Sequence, residues 1–184
     1  MIISEILMIS VGLGMDAMAV SICKGLAMKE MKWKKALIIG LYFGIFQALM
    51  PAIGYHFGIK FGKLVGNISQ WISFFLLFIV GLNMIKEGKN KEEKSLNEIT
   101  DFKTMIPLSI ATSIDALIIG TSIALLNYKI LKPITIIGIT TFIMAIVGVK
   151  LGNIFKNKID DKAEIFGGII LIIIGIKIII THYL

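Results

Sequence analysis

The chain has no arginine, one cysteine, three prolines and two histidines, and charged residues make up only 17% of its 184 positions. A single cysteine, Cys23, forms no internal disulfide, so nothing here points to an oxidised secreted fold; its plain role is that of a small apolar filler. His56 and His182 stand at the ends of apolar segments with no ligand spacing between them, which argues against a histidine metal site. No nucleotide-binding loop of the Walker type is present, so ATP does not drive this protein. The residues ahead of the first apolar run contain Glu5 but no lysine, and a signal peptide needs a basic start, so Ala17-Met18-Ala19 is not read as a cleavage site.

What is abundant is hydrocarbon. Hydrophobic residues make up 57% of the chain and fall into long blocks, which is the pattern of a membrane protein. Six blocks, near 2–23, 36–58, 67–86, 105–126, 131–150 and 163–182, are long enough to cross roughly 30 Å of bilayer as helices. The expected fold is therefore an all-α polytopic membrane protein. All 19 basic residues are lysines lying between or beside the blocks, so the net charge of +7 speaks of topology and not of a nucleic-acid partner. The first, third and fifth connections hold fourteen lysines, among them Lys24, Lys86 and Lys156, and the other side holds five, among them Lys60, Lys132 and Lys177. By the positive-inside rule the odd connections face the cytoplasm and both termini lie outside.

The longest connection mixes Lys86, Lys89, Lys91 and Lys94 with Glu87, Glu92, Glu93 and Glu98, and it divides the chain into repeats over 1–86 and 105–184 joined by a charged cytoplasmic linker, 87–104. The halves match. Asp16-Ala17 corresponds to Asp115-Ala116, Gly54-x-x-x-Gly58 to Gly148-x-x-x-Gly152, and Trp71–Ile85 with Gly81 to Ile165–Ile179 with Gly175. Three spans per half force the second half to enter from the opposite side, giving two inverted three-helix repeats with an aspartate near mid-depth on the first span of each.

A charge at mid-membrane costs about 2.5 to 3.5 kcal/mol on insertion scales, so two aspartates in matching frames point to a function. With the Thr112 hydroxyl and amide or carbonyl oxygens they make a hard, oxygen-rich site suited to Mg, Ca or Mn. Met15, Met18 and Met50 lie close by in sequence, and a thioether would favour a softer transition metal, although Met is also ordinary filler. Pro51 frees the carbonyl of Gln47 from its helical hydrogen bond, so that carbonyl or the Gln47 side chain is a further candidate donor, the alternative being a structural kink. Glu164 opens the sixth span, where it serves as a helix-terminal acid or as a ligand at the cytoplasmic mouth. Lys177 is expected to snorkel to the outer interface.

Gly-Met-Asp-Ala-Met-Ala-Val-Ser at 14–21, Ala-Thr-Ser-Ile-Asp-Ala at 111–116 and Ala-Glu-Ile-Phe-Gly-Gly at 163–168 resemble the MntP family of bacterial manganese exporters, within the broader LysE-like superfamily, over essentially the whole chain. The resemblance implies an inner-membrane secondary transporter exporting Mn²⁺ as its substrate, with no enzymatic activity and no cofactor, and it carries Asp16, Asp115 and Glu164 over as motif residues. One departure is Gln47, where some members carry glutamate. Export of a small cationic solute such as an amino acid is the alternative transporter, but no aromatic or polar pocket for an organic part accompanies either aspartate. An intramembrane aspartyl protease is disfavoured because Asp16 does not directly follow Gly14 and no tyrosine precedes Asp115. Two carboxylates close together in a low dielectric do not both stay ionised once a metal leaves, which makes H⁺ the expected counter-ion.

Overall fold

The computed structural model describes residues 3–28, 31–90, 101–159 and 163–183, with the side chains of 57–70, 87–90, 157–159, 163–164 and 181–183 outside that description. The core of the expected linker, 91–100, also lies outside the described residues.

The regular structure of these residues is α-helical: α1 (Ile3–Leu26), α2 (Trp33–Asn90), α3 (Phe102–Leu125), α4 (Leu131–Ile159) and α5 (Ala163–Tyr183). Four stretches, Ile3–Leu26, Trp33–His56, Phe102–Leu125 and Leu131–Lys156, have the length and apolarity to cross a membrane, and Trp71–Lys86 and Ile165–Ile180 are shorter apolar helices. Large side chains such as Ile45, Leu49, Ile139, Ile143 and Ile173 are exposed along them. Such surfaces suit lipid, and the helix satisfies its own backbone hydrogen bonds there, as a multi-pass membrane protein requires. The turn after α3 is set locally. Asn127 takes a left-handed φ of 56°, a conformation asparagine tolerates, and the Asn127 and Tyr128 N–H groups bond the Ala124 and Ile123 carbonyls to close the helix end.

Separate spans were expected at 36–58 and 67–86; helical backbone runs from Trp33 to Asn90, and within it Trp33–His56 and Trp71–Lys86 are two distinct apolar stretches. The stretch Phe57-Gly-Ile-Lys-Phe-Gly-Lys-Leu-Val-Gly66 contains no proline, so no backbone donor is removed there. The two apolar stretches of α2 nevertheless run in opposite directions. The Tyr42 ring lies 6.3 Å from that of Phe102 and Gly54 abuts the Leu117 carbonyl, so the first stretch is parallel to α3. Ser73 donates to the Ala111 carbonyl at 3.1 Å, while Asn83 shares a cavity with Thr104 and Pro107, so the second stretch is antiparallel to α3. In a straight helix Gly54 and Ser73 would stand roughly 28 Å apart, yet they meet positions on α3 separated by roughly 9 Å. The α2 backbone therefore reverses between His56 and Trp71.

Helix packing relies on small residues that let backbones approach. Along α1 and α4, which run parallel, a Cβ at Gly148 would overlap the Met18 carbonyl and one at Gly152 the Ile22 carbonyl. Along α2 and α3, Gly54 meets Leu117 in the same way. Met18 follows Asp16 by two residues and Leu117 follows Asp115 by two, so the two contacts occupy matching places. Between α2 and α4 the contact is mutual: a Cβ at Gly44 would stand 2.9 Å from the Gly138 carbonyl and one at Gly138 would stand 3.1 Å from the Gly44 carbonyl. The second stretch of α2 packs antiparallel on α5, with Gly81 against Gly168 and Gly175 against Phe74.

Candidate functional site

Asp16 lies midway along α1 and is half-buried, and Asp115 lies midway along α3 and is exposed. Each is followed by a fully buried alanine, Ala17 and Ala116, which seats that side of its helix in the core. Asp115 acts electrostatically on Asp16, and so does Lys177 of α5. The structure thus brings the two carboxylates within reach of each other. It also adds a cation to them. A Cβ at Gly167 of α5 would stand 3.4 Å from the Cys23 carbonyl, so ascending α5 by ten residues while α1 is retraced brings Lys177 to within about one helical turn of Asp16. The expectation for Lys177 considered only its distance from the end of its own span, and antiparallel register was the missing information.

The remaining expected donors are dispersed. Thr112, on the turn before Asp115, is 5% exposed and donates its hydroxyl to the Leu108 carbonyl at 3.1 Å, which leaves its oxygen lone pairs for another partner. Gln47 is fully buried on α2, and neither its amide nitrogen nor its amide oxygen has a hydrogen-bond partner among the described residues. Its helix meets α3 on the face of Leu117 and Gly120, and at about 100° per residue that face lies almost opposite Asp115. Glu164 opens α5, and its side chain lies outside the described residues. Its backbone stands three residues beyond Gly167, roughly 15 Å along the bundle from Asp16. Among the described residues no three His, Cys, Asp or Glu side chains converge.

Three further features define the surroundings. Gly14, two residues before Asp16, leaves room for α4, since a Cβ there would meet the Met144 sulfur at 2.6 Å and the Thr141 hydroxyl at 3.5 Å. A cavity of about 380 Å³ opens between α1, α2 and α3, lined by Lys24, Asn83, Asp101, Lys103 and Thr104 among others; neither Asp16 nor Asp115 lines it. At that same end Lys156 and Asn153 donate to the Met28 carbonyl at 2.9 and 3.1 Å, and the Lys150 ammonium sits 5.9 Å from the Trp33 ring centroid.

Comparison with known proteins fits this arrangement of membrane carboxylates. Residues 30–179 match the family model Mntp, described as "Putative manganese efflux pump". A protein of Acetivibrio thermocellus carrying that description is 50% identical over 97% of this chain and 90% of its own length. Others from Desulfitobacterium hafniense and Methanobrevibacter smithii are 48% and 44% identical over 97% of this chain and 94% and 97% of their own lengths. No solved structure matches. With this identity sustained from end to end, the chain belongs to the MntP family of manganese efflux pumps.

Proposed function

We propose that this protein is a secondary transporter that exports Mn²⁺ from the cytoplasm across the inner membrane, with Asp16 and Asp115 as the charge-bearing ligands. The observation that carries the proposal is the pair itself: two carboxylates at matching places on two membrane helices, with the field of Asp115 reaching Asp16. A dication stripped of water needs such compensation. Thr112 adds a neutral oxygen from the turn before Asp115 and Glu164 collects the ion at the cytoplasmic mouth, while Gln47, on the helix that packs against α3 on the side away from Asp115, stands outside the ligand set.

The inverted-repeat organisation over 1–86 and 105–184, joined by 87–104, is part of the proposal. Its support is the matched packing of Gly54 on Leu117 and Gly148 on Met18, together with the mutual contact of Gly44 and Gly138, which is what a two-fold axis between α2 and α4 produces. Lysines of the first and fifth connections gather at one end through Met28, Trp33, Lys150 and Lys156, in keeping with a cytoplasmic face there and termini outside.

Export of a dication against an inside-negative potential costs about 2.3 kcal/mol per charge per 100 mV. Exchange with protons supplies that energy, because the emptied aspartate pair takes up protons. Uptake of Mn²⁺, Ca²⁺, Zn²⁺ and lysine into inverted proteoliposomes under a pH gradient tests the whole assignment. Saturable Mn²⁺ uptake with proton counterflow is expected, and lysine uptake without Mn²⁺ uptake would replace the assignment with an exporter of organic cations.

A further inference from the structure

The cavity of about 380 Å³ between α1, the second stretch of α2 and α3 is lined by neither aspartate, and its walls are of two kinds. With Ser73 bonded to Ala111 and the two helices antiparallel, Leu76 stands level with about Leu108, and Asn83 with about Asp101. One end of the cavity is therefore apolar, where Leu76, Ile79 and Pro107 line it, and the other is polar, where Asn83, Asp101, Lys103 and Thr104 do. The two ends lie roughly 10 Å apart along the helices. Lys24 of α1 lines the same cavity and is only 4% exposed. The polar end belongs to the side that the lysine distribution assigns to the cytoplasm.

Charge decides what belongs in it. The described residues of its lining include two ammoniums, Lys24 and Lys103, and one carboxylate, Asp101. Whatever Asp101 neutralises, one positive charge is left over, and the first turn of α3 adds the positive end of its dipole. That excess repels Mn²⁺ and suits an anion, to which the Thr104 hydroxyl and the Asn83 amide offer further donors. The apolar end decides which anion. A free phosphate gains nothing from Leu76, Ile79 and Pro107, whereas a lipid chain does. Ile79, 54% exposed, opens that end onto the surface that suits lipid. Basic pockets between membrane helices on the cytoplasmic side hold acidic lipid headgroups in this way. We infer that the cavity binds one anionic phospholipid, its phosphate shared by Lys24 and Lys103 with Asn83 and Thr104 donating to the phosphate oxygens, and its chain lying over Leu76, Ile79 and Pro107.

Native mass spectrometry of the detergent-purified full chain, titrated with phosphatidylglycerol or phosphatidylcholine, reads the site directly. Saturable binding of one phosphatidylglycerol is expected, with phosphatidylcholine weaker by about fivefold or more. Lys103→Gln, at an exposed side chain, should weaken phosphatidylglycerol about five- to tenfold. Lys34→Gln removes an exposed lysine from the same end but outside the cavity, and should leave binding nearly unchanged. Thr104→Val removes a donor without changing charge and should weaken binding less than Lys103→Gln does. Equal losses in Lys103→Gln and Lys34→Gln overturn the site in favour of diffuse attraction, and so does unchanged binding in Lys103→Gln and Thr104→Val together. Phosphatidylcholine held as tightly as phosphatidylglycerol overturns the anionic assignment. Displacement of the lipid by millimolar inorganic phosphate overturns the lipid in favour of free phosphate. A second readout is thermal: phosphatidylglycerol should raise the melting temperature of the wild type more than that of Lys103→Gln, and an equal rise in both overturns the site.

Discussion

The two halves present the same aspartate in unequal company. Asp16 is half-buried and has Lys177 acting on it, whereas Asp115 is exposed. At the place that corresponds to Lys177, the first half carries Asn83, which lines the cavity with Lys24, Asp101 and Lys103. Packing is matched between the halves but charge is not. A pump whose two faces were equivalent would bind its ion alike from either side, and a cation whose field reaches Asp16 sets the two sides apart. If Asp16 is a ligand as proposed, Lys177 opposes Mn²⁺ there and loosens the metal on one side of the cycle only.

The largest effect expected from breaking this comparison is at the aspartates themselves. Asp16→Asn and Asp115→Asn each keep the shape and remove the charge, so each should weaken Mn²⁺ binding about 100-fold or more and abolish export while the protein still inserts. Equilibrium binding to purified protein and efflux from cells check both. Near-normal efflux by either variant would mean that its carboxylate is not a ligand.

Next in size are the matched glycines. Gly54→Leu drives a side chain into the Leu117 carbonyl and Gly148→Leu drives one into the Met18 carbonyl, where no flexible group is available to yield. Each should destabilise the bundle by about 1 to 3 kcal/mol, and the two losses should be similar if the halves pack alike. Thermal unfolding in detergent measures both, and a large loss in one with none in the other would argue against the two-fold arrangement.

The spans, the aspartate motifs and the lysine asymmetry were legible in the sequence because each is a local pattern: a length of apolar residues, a spacing, a count per connection. The glycine correspondence between 54 and 148 was legible for the same reason, and both glycines lie at tight contacts. What was not legible depends on how helices register against one another. Lys177 reads as an interfacial residue on its own helix and becomes a neighbour of Asp16 only once α5 is laid antiparallel on α1. Gln47 reads as a donor because Pro51 frees its carbonyl, yet α2 meets α3 on the side away from Asp115. Nothing local in the sequence singles out Thr141, whose place beside Gly14 is a property of the folded interior. The reversal within α2 falls between the blocks expected at 36–58 and 67–86, where Gly58, Gly62 and Gly66 weaken the helix.

A smaller effect isolates the charge difference. Lys177→Met removes the cation while keeping an apolar stem of similar length, so Mn²⁺ should bind about three- to tenfold more tightly, the scale of one charge at a distance in a medium of intermediate dielectric. Export should slow, because a metal held more firmly leaves more slowly. Lys177→Arg should restore both. Tighter binding with faster export would separate Lys177 from release, and unchanged binding would remove it from the neighbourhood of the site.

The smallest expected effect lies at the basic end of the bundle, where Lys150 stands over Trp33. The corresponding position in the first half is His56, whose Nδ1 bonds the Ala52 carbonyl at 2.8 Å and whose ring meets that of Tyr55. One end therefore anchors through a lysine on an indole and the other through a pair of aromatic rings, in keeping with the lysine inequality of the positive-inside rule. Lys150→Gln leaves the Trp33 ring without its cation and should cost about 0.5 to 1 kcal/mol, read as a shift of about 2 to 4 °C in the melting temperature. Transport should be nearly unchanged, since Lys150 is remote from both aspartates in the packing described. His56→Gln should shift the melting temperature less than Lys150→Gln does. A reporter fused after Leu184 should stay outside in both variants, because thirteen of the fourteen lysines on the proposed cytoplasmic side remain after Lys150 is replaced. Inversion of that reporter by the single change would show that orientation is fixed by this one contact and not by the distribution of lysines along the chain.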